Sequence, residues 1–482
     1  MYHISDLKKF LRCERLYLYS KDTNNAFKPY LRMDENINDI ICKYFGIEDY
    51  FEGIRNDNDD KFINNIDKYE WYFHPRLSDG ELRFNVPLMH KNENNFDLYY
   101  FYYGTQIREL DLLTYRISLQ ILNKKGFNVE NIYVIYMNED YVNEGELDVY
   151  KLLKCVDIYK EKRIIDLVKE KQIDYEELID KMAKADLDKP AKKCKYCKLN
   201  SECEFYDKCF PDEKEIEDDS ILTLVSSKYK NQMYENNILH LKDVDTSLLE
   251  GNKVQYAQIM ASKNNGVFID KLALSKFLES ISGRPISFID FEWDRMLIPI
   301  YPKMKPMDVV CFEFALYYID ENGHMEHRTF VATGDCRKEF IEALIEYLPE
   351  KGPILAYNAI GAECLRLEEL GRMFPEYKDR LDQIISRFVD LATPFTEGLF
   401  YDTRMRGNYS LKRLVDICSD YSYADLDIYD GMEAVYNWRD IDKGNKDDKD
   451  RVISELKEYC SLDAYGLFLV YKWLVKITLE SK

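Results

Sequence analysis

Two carboxylates lie two residues apart in an apolar stretch of this chain. Asp290 and Glu292 belong to the sequence Ile-Ser-Phe-Ile-Asp-Phe-Glu-Trp at residues 286–293. Because successive side chains of a β-strand point to opposite faces, both acids share one face with Ile286 and Phe288. A strand that is apolar on both faces is normally covered on both sides, and ionised acids buried there are costly without a cation. The pattern predicts either an oxygen-ligated divalent metal such as Mg²⁺ or a strand end at which both acids reach water.

Another acid interrupts the apolar stripe of a predicted helix near the C-terminus. The stretch from Val452 to Leu474 has apolar residues at spacings of three and four, and Asp463 occupies a position in this stripe. Tyr459 lies four residues before Asp463, so the two side chains are neighbours on a helix. A frayed or partly exposed helix would tolerate the acid. A metal ligand beside a phenol explains its position better.

The order of these motifs, Asp-x-Glu on a strand and Tyr-x-x-x-Asp on a last helix, resembles the DEDD exonucleases that carry a tyrosine in their third motif. The segments between the motifs fit the RNase H-like fold of that family. They are two strands around Asn-Gly, a helix and a further strand, at 309–319, 324–332, 335–348 and 353–358. The resemblance implies that Glu363 is the acid of the second motif, where the family usually has Asp. Asp390 is the reserve candidate.

This resemblance implies a two-metal hydrolysis of phosphodiester bonds. Two metal ions about 4 Å apart can hold the attacking and leaving oxygens, and carboxylates are the hard ligands such ions require. By the resemblance, Mg²⁺ or Mn²⁺ would be held by Asp290, Glu292, Glu363 and Asp463. Tyr459 would orient the attacking water or help to deprotonate it. The implied function is a 3′-to-5′ exonuclease acting on single-stranded DNA or RNA. The alternative is a non-catalytic nucleic-acid-binding component of a repair or defence complex.

Twelve cysteines are unevenly distributed, and four of them, Cys194, Cys197, Cys203 and Cys209, lie within sixteen residues. In a cytosolic chain such a cluster indicates a metal rather than disulfides. The sequence predicts a helix from Ser5 to Tyr19, with Ser5 as the candidate N-cap, and this helix contains Cys13 in the sequence Phe-Leu-Arg-Cys-Glu-Arg. Together with Cys13, the layout resembles the RecB-like nucleases that carry an iron–sulphur cluster. The resemblance implies a [4Fe–4S] cluster bound by Cys13, Cys194, Cys197 and Cys203. A Zn²⁺ site formed by the four clustered cysteines is the alternative.

The RecB-like nuclease motifs themselves are missing from the first half of the chain. That family needs an Asp on one strand and Glu-x-Lys on the next, and the candidate strands are residues 81–89 and 96–103. Asn85 stands near the expected position of the first acid. Aromatic residues from Tyr99 to Tyr103 stand where Glu-x-Lys is expected. We therefore expect a degenerate nuclease domain with a restriction-endonuclease-like α/β fold, kept as a scaffold or for binding nucleic acid.

Other acids in the first half offer two alternatives. Asp97, or Glu146 together with Asp148, would rebuild a metal site, but neither set has a lysine at the required spacing. A solvated loop is the favoured interpretation of residues 144–148.

Composition and charge set the remaining expectations. The chain has 482 residues, which is enough for two or three domains, and its net charge of −21 argues against non-specific coating of DNA. It contains no apolar run of eighteen residues and no secretory signal at its start, so we expect a cytoplasmic protein without a membrane partner.

An acidic run at 212–219 indicates a linker. The predicted domains are a degenerate RecB-like domain with the cysteine cluster at 1–215, a helical linker or bridging domain at 216–280, and an RNase H-like DEDD exonuclease domain at 281–482. This arrangement resembles a bacterial family that joins a RecB-like (PD-(D/E)XK-type) iron–sulphur domain to a C-terminal DEDD exonuclease domain. Protein partners in repair or defence are expected from that resemblance.

Overall fold

The structure, a computed structural model, forms two compact units. The first consists of Met1–Cys194 and Arg295–Asp308, and the second of Lys195–Asp294 and Val309–Lys482. The residues that the structure describes are 1–21, 30–33, 36–192, 197, 203–211, 217–249, 251–421, 428, 430–444 and 448–480. Both units combine helices with sheets, which confirms the predicted α/β class. The predicted domain boundaries at 215 and 280 stay predictions.

The first unit contains a mixed sheet of order β2-β3-β6-β7-β8-β9 and a smaller sheet of order β1-β5-β4. Its strands are β1 (Tyr2–His3), β2 (Phe51–Glu52), β3 (Trp71–Phe73), β4 (Arg76–Asp79), β5 (Leu82–Asn85), β6 (Leu88–Asn92), β7 (Asn95–Phe101), β8 (Asn128–Met137), β9 (Leu153–Val156), β10 (Ile158–Tyr159) and β11 (Lys162–Arg163). Its helices are α1 (Ile4–Arg12), α2 (Glu14–Ser20), α3 (Ile37–Phe45), α4 (Asp59–Ile63), α5 (Leu112–Lys124), α6 (Val149–Leu152), α7 (Ile164–Lys169) and α8 (Tyr175–Ala183).

Of the two strands predicted in this unit, the second, at 96–103, largely coincides with β7, whereas the first is divided. The stretch 81–89 divides into β5 and the start of β6, because Pro87 has no N–H to continue a ladder. β6 pairs with β7 in antiparallel register, whereas β7 and β8 are parallel and are connected by α5. Residues 295–308 pack Leu297 and Ile298 into a core cluster of this unit.

The second unit is built around a sheet of order β15-β14-β13-β16-β17. Its strands are β12 (Val267–Ile269), β13 (Ile286–Arg295, whose last residue is counted in the first unit), β14 (Val309–Ile319), β15 (Met325–Val331), β16 (Ile354–Ala356), β17 (Phe388–Asp390) and β18 (Phe400–Asp402). Its helices are α9 (Tyr206–Cys209), α10 (Lys230–Glu235), α11 (Lys253–Lys263), α12 (Lys271–Ser280), α13 (Arg337–Tyr347), α14 (Leu365–Met373), α15 (Lys378–Ile385), α16 (Thr393–Thr396), α17 (Leu411–Cys418), α18 (Gly431–Asp442) and α19 (Lys449–Glu480). A π-helical turn, Ile360–Cys364, precedes α14.

Helices cover both faces of the central strand β13, as its two apolar faces predict. On one face Phe291 packs edge-on against Phe340 of α13, and on the other Phe288 packs against Phe468 of α19. β13 pairs with β16 in parallel, and β16 pairs with β17 in parallel, while β14 and β15 form an antiparallel hairpin. The even-numbered side chains of β13, which include both carboxylates, therefore face α19.

The long helix α19 contains the predicted stretch 452–474. None of the described helices combines the length and the apolar character that a membrane span requires.

Candidate metal centre

Three carboxylates converge between β13 and α19. Asp290, Glu292 and Asp463 each offer an oxygen, and these oxygens all lie within 4.8 Å of one another. The two strand acids are partly buried, and Asp463 is 7 % exposed. The strand period places the first two acids on one face, and the helix stripe turns the third toward them. The structure thus brings together three of the four acids that the sequence singles out.

Burial and mutual repulsion make the ionised form of this cluster unfavourable. Burial raises the pKa of Asp290 well above its usual range, and the charges of Asp463, Glu292 and Glu363 raise it further. Burial likewise raises the pKa of Glu292 above its usual range. Repulsion from a carboxylate on β14 and from Asp463 raises it further. Lys412 opposes this increase in the pKa of Glu292. Carboxylates this close require either protons or a cation among them.

Glu363 lies in the π-helical turn beside the same cluster. It is 2 % exposed, and burial raises its pKa to about 8. Asp390 raises this pKa further, whereas Arg366 and the backbone N–H of Phe291 lower it. Its Oε2 has no hydrogen-bond partner among the described residues. Glu363 is outside the set of three carboxylates within 4.8 Å but interacts electrostatically with Asp290.

Asp390, the reserve candidate, has a different environment at the end of β17. Its Oδ1 accepts hydrogen bonds from the backbone N–H groups of Asn358, at 2.8 Å, and Ala392, at 2.9 Å. Asn358 has a φ of 59°, so this contact fixes an unusual turn at the end of β16. Asp390 therefore supports the loop that leads to Glu363.

Tyr459 lies one helical turn before Asp463 and is hydrogen-bonded to it. Burial, followed by the charges of Asp463 and Glu292, raises the pKa of Tyr459 far above its usual value. The phenol is therefore a neutral donor toward the Asp463 carboxylate. The Lys412 Nζ lies 4.9 Å from the centre of the Tyr459 ring. This lysine is the positive charge that acts on Glu292 from α17.

Helix α18 begins beside the carboxylates. A Cβ added at its first residue, Gly431, would lie 3.5 Å from the Glu292 Oε2 and 4.0 Å from the Tyr459 hydroxyl. Farther along α18, Arg439 forms a buried ion pair with Asp294, with its Nε donating to Oδ2 at 2.9 Å. Asp294 is a further acid on the same face of β13, and its charge is balanced by this arginine.

The cysteine next to Tyr459 also contacts the centre. The Cys460 thiol is 3.4 Å from the backbone carbonyl oxygen of Asp290 and 3.6 Å from its Oδ2. Cys460 is fully buried and packs against Ala315 and Ala464. The thiol packs α19 closely onto the sheet at the position where Asp463 must reach Asp290.

Glu313 was missed by the sequence reasoning. It lies in the middle of β14, is 0 % exposed, and neither of its carboxylate oxygens has a hydrogen-bond partner among the described residues. It is the carboxylate on β14 that raises the pKa of Glu292. A signal was present, because Glu313 is the sole charged residue in the eleven-residue strand Val-Val-Cys-Phe-Glu-Phe-Ala-Leu-Tyr-Tyr-Ile.

The arginines between the second and third motifs have partners within the fold. Arg404 pairs with Asp402, with Nη2 and Oδ2 at 2.7 Å, and Arg413 donates to the backbone carbonyl of Arg404. The Arg406 Nε lies 3.8 Å from the Asp218 Oδ1. Lys412 differs from these arginines because its charge acts on Glu292 of the carboxylate cluster.

A second group with ligand-type side chains, Glu217, Asp219 and His240, occurs elsewhere in this unit. The His240 Nδ1 lies 3.1 Å from the Asp219 Oδ1 and 3.4 Å from the Glu217 Oε2. The other Asp219 oxygen accepts a hydrogen bond from Ser262 at 2.8 Å. These groups satisfy one another without a cation.

In the first unit, residues at the positions where the nuclease motifs are expected line a surface cleft of about 360 Å³. Asn85 contacts the His74 Nδ1 at 3.2 Å, and Tyr100 stacks on Tyr115 with ring centres 4.0 Å apart. Among the first unit's described residues, no three ligand-type side chains converge as they do in the second. The aromatic residues pack the core of the unit.

The alternative acids of the first unit also have local partners. Asp97 is 8 % exposed and accepts a hydrogen bond from the Asn131 side chain at 2.7 Å. Asp148 accepts hydrogen bonds from the backbone N–H groups of Tyr150 and Lys151 and so caps α6. Glu146 lies in the neighbouring loop without such a role.

The cysteine cluster falls largely outside the described part of the chain. Cys194 is not among the described residues, so the predicted four-cysteine set stays a prediction. Cys13 lies in an extended conformation between α1 and α2, where the sequence predicts one continuous helix from Ser5 to Tyr19. Cys197 is buried.

The carboxylate cluster fits a divalent cation by its donor set. Hard oxygen ligands from several acids suit Mg²⁺ and Mn²⁺. The raised pKa values of Asp290 and Glu292 arise because burial and like charge oppose ionisation. A bound cation offsets both causes. The partly exposed strand acids leave the centre accessible from solvent.

Comparison with known proteins gives one match. Residues 287–410 match a family described as a domain of unknown function (DUF2779). This segment contains Asp290, Glu292 and Glu363 and ends before α19. No curated protein and no solved structure matches the chain.

Proposed function

We propose that the second unit is a metal-dependent 3′-to-5′ exonuclease with an RNase H-like fold, acting on single-stranded nucleic acid. The observation that carries the proposal is the convergence of Asp290, Glu292 and Asp463, whose oxygens lie within 4.8 Å of one another. Their types and order along the chain, Asp-x-Glu on a strand and Tyr-x-x-x-Asp on a last helix, resemble those of the DEDD exonucleases.

The sheet supports the RNase H-like assignment. The acids lie on a central strand that has a hairpin, β14 and β15, on one side and two parallel strands, β16 and β17, on the other. The helix that completes the cluster is the last element of the chain and packs on the face that carries the acids.

Each residue has a role that follows from its surroundings. Asp290, Glu292 and Asp463 would hold the cations, with Glu363 completing the set from the π-helical turn. Bound divalent cations would supply an activated water and stabilise the leaving 3′-oxygen. Tyr459, a neutral phenol hydrogen-bonded to Asp463, orients groups beside that carboxylate.

The test is cleavage of single-stranded DNA and RNA by the full chain with Mg²⁺, Mn²⁺ or EDTA. Substrates labelled at the 5′ end should give a ladder of shortened products, and substrates labelled at the 3′ end should release mononucleotides at once. Asp290→Asn should abolish cleavage. Asp450→Asn, an exposed acid in the first turn of α19, is the matched control and should retain it. Equal activity in wild type and Asp290→Asn would refute the assignment.

We further propose that residues 1–215 form a degenerate RecB-like, restriction-endonuclease-like domain, with Cys13, Cys194, Cys197 and Cys203 binding a [4Fe–4S] cluster. The support is the cysteine spacing and the aromatic residues at the expected motif positions. Protein purified without oxygen should be brown and contain iron. Stoichiometric zinc without iron would favour the alternative site that includes Cys209.

A further inference from the structure

The immediate surroundings of Glu313 do not explain why a carboxylate is buried at this position. It is 0 % exposed, and both of its oxygens lack a hydrogen-bond partner among the described residues. An ionised carboxylate that is buried without partners is strongly unfavourable. Lys457 of α19 is the positive charge that acts on it, without reaching either oxygen for a hydrogen bond.

The side chain of Glu313 is directed at the carboxylate cluster. Ala315, two residues later on the same face of β14, packs against Cys460 and Ala464 of α19. Residues two apart on a strand share a face, so Glu313 also faces α19. Its charge acts on Glu292, Asp463 and Cys460, which all belong to the centre or border it.

We infer that Glu313 is a fifth acid of the metal centre, an outer carboxylate that strengthens divalent-cation binding from behind Glu292. This inference rests on the metal centre of the proposed function. Glu313 lies outside the set of three whose oxygens converge within 4.8 Å, so it acts as a positioning residue rather than as a direct ligand. Its two buried oxygens, which have no hydrogen-bond partner among the described residues, would accept hydrogen bonds from water bound to such a cation. Outer partners of this kind tune metal affinity.

The alternative is a buried acid that only fills space in the core. In that case removal of its charge would leave cation binding unchanged. A direct measurement of Mn²⁺ affinity separates the two, and it does not require nucleic acid or cleavage.

The experiment compares wild type with Glu313→Gln and Glu313→Asp by calorimetric titration of the metal-free full chain with Mn²⁺. Thermal unfolding is followed with EDTA and with saturating Mn²⁺. We expect Glu313→Gln to weaken Mn²⁺ binding by about 10-fold to 100-fold, as other outer-ligand substitutions do. Without metal it should unfold at an equal or higher temperature, because a buried charge is gone. A purely structural role would not lower the metal affinity while preserving the metal-free protein.

Ser287→Ala is the matched control. Ser287 is 1 % exposed on the adjacent strand β13, its hydroxyl also lacks a partner among the described residues, and it lies on the opposite face from Asp290. It should bind Mn²⁺ as wild type does. Glu313→Asp keeps the charge and should retain more affinity than Glu313→Gln. It also keeps the test decisive if the glutamine variant does not fold.

Unchanged Mn²⁺ affinity in Glu313→Gln would overturn the inference. So would an equal loss in Ser287→Ala, an equal loss in Glu313→Asp, or a wild-type chain that binds no Mn²⁺. A chain that binds Mn²⁺, loses affinity on Glu313→Gln and never cleaves nucleic acid would refute the exonuclease proposal alone.

Discussion

Each unit of this protein has a mixed sheet with an acid buried in an apolar strand, but the acids have different neighbours. In the first unit, Asp97 of β7 accepts a hydrogen bond from Asn131 at 2.7 Å. In the second, Asp290 of β13 is surrounded by Asp463, Glu292 and Glu363, all of the same charge. A single buried acid with an amide partner is a structural feature. Several buried acids that repel one another require protons or a cation.

The two units also differ in where their aromatic residues lie. Tyr99 stacks on Tyr133 and Tyr100 on Tyr115 in the first unit, with ring centres 4.9 Å and 4.0 Å apart. These side chains stabilise the core where a nuclease of the RecB-like type needs charge. In the second unit Phe291 packs on Phe340 on the face of β13 opposite the acids, and on the acids' own face Phe288 packs on Phe468 and leaves the next two positions to the carboxylates.

The sharpest test of this comparison replaces one acid in each unit with its amide. We expect Asp463→Asn to lower kcat by more than about 10³-fold, since loss of one neutral donor to a transition state already costs roughly 10² to 10³-fold. Asp97→Asn should leave kcat unchanged, because the amide oxygen can still accept from Asn131. Both rates are measured on the same labelled single strand with Mn²⁺.

Circular dichroism of both variants provides the control for folding. A loss of activity in Asp97→Asn with an intact fold would show that the first unit takes part in cleavage, and the contrast between the units would disappear.

The sequence predicted the elements of the second unit well because strand and helix periodicities are strong there. The predicted strand at 309–319 has the same bounds as β14, and the predicted last helix lies within α19. The acids of β13 and α19 could be found because each interrupts an apolar pattern. Glu313 interrupts one as well, but no spacing links it to the other acids. Its relation to Glu292 depends on how β14 pairs with β13.

In the first unit the periodic signal was weaker, and the errors are local. The predicted helix from Ser5 to Tyr19 is divided at Cys13, whose extended backbone separates α1 from α2. The α1 N-cap is His3 rather than the expected Ser5, because the His3 N–H donates to the Asp6 carboxylate at 2.9 Å. Backbone contacts of this kind are not encoded in an apolar repeat.

A smaller loss of activity is expected when the Tyr459 hydroxyl beside Asp463 is removed. Tyr459→Phe removes the hydroxyl that is hydrogen-bonded to this carboxylate. We expect kcat to fall by about 10²-fold, the lower end of what a positioned proton-handling group contributes. Mn²⁺ affinity in a calorimetric titration should change much less than kcat, because the phenol is a hydrogen-bond donor to Asp463 rather than a carboxylate ligand. Tyr465→Phe, on the same helix and beside Tyr421, is the control and should retain the wild-type rate. Wild-type kcat in Tyr459→Phe would leave the phenol without a role in the centre.

The last prediction concerns the pH dependence of the stability of the metal-free protein rather than its activity. Burial raises the pKa of Glu363 from 4.5 to about 8, so the folded protein holds a proton there that the unfolded chain releases between these values. The free energy of unfolding that Glu363 contributes is therefore full below about pH 4.5 and falls, by at most about 1.4 kcal/mol per pH unit, until about pH 8. In Glu363→Gln the side chain is neutral at every pH, so its contribution to the free energy of unfolding does not change with pH. In thermal unfolding with EDTA, wild type should lose stability relative to Glu363→Gln as the pH rises through this window. Saturating Mn²⁺ should reverse the trend for wild type, because the cation requires the ionised carboxylate. Parallel melting curves for the two proteins across the window would show that Glu363 is not held protonated beside the cluster.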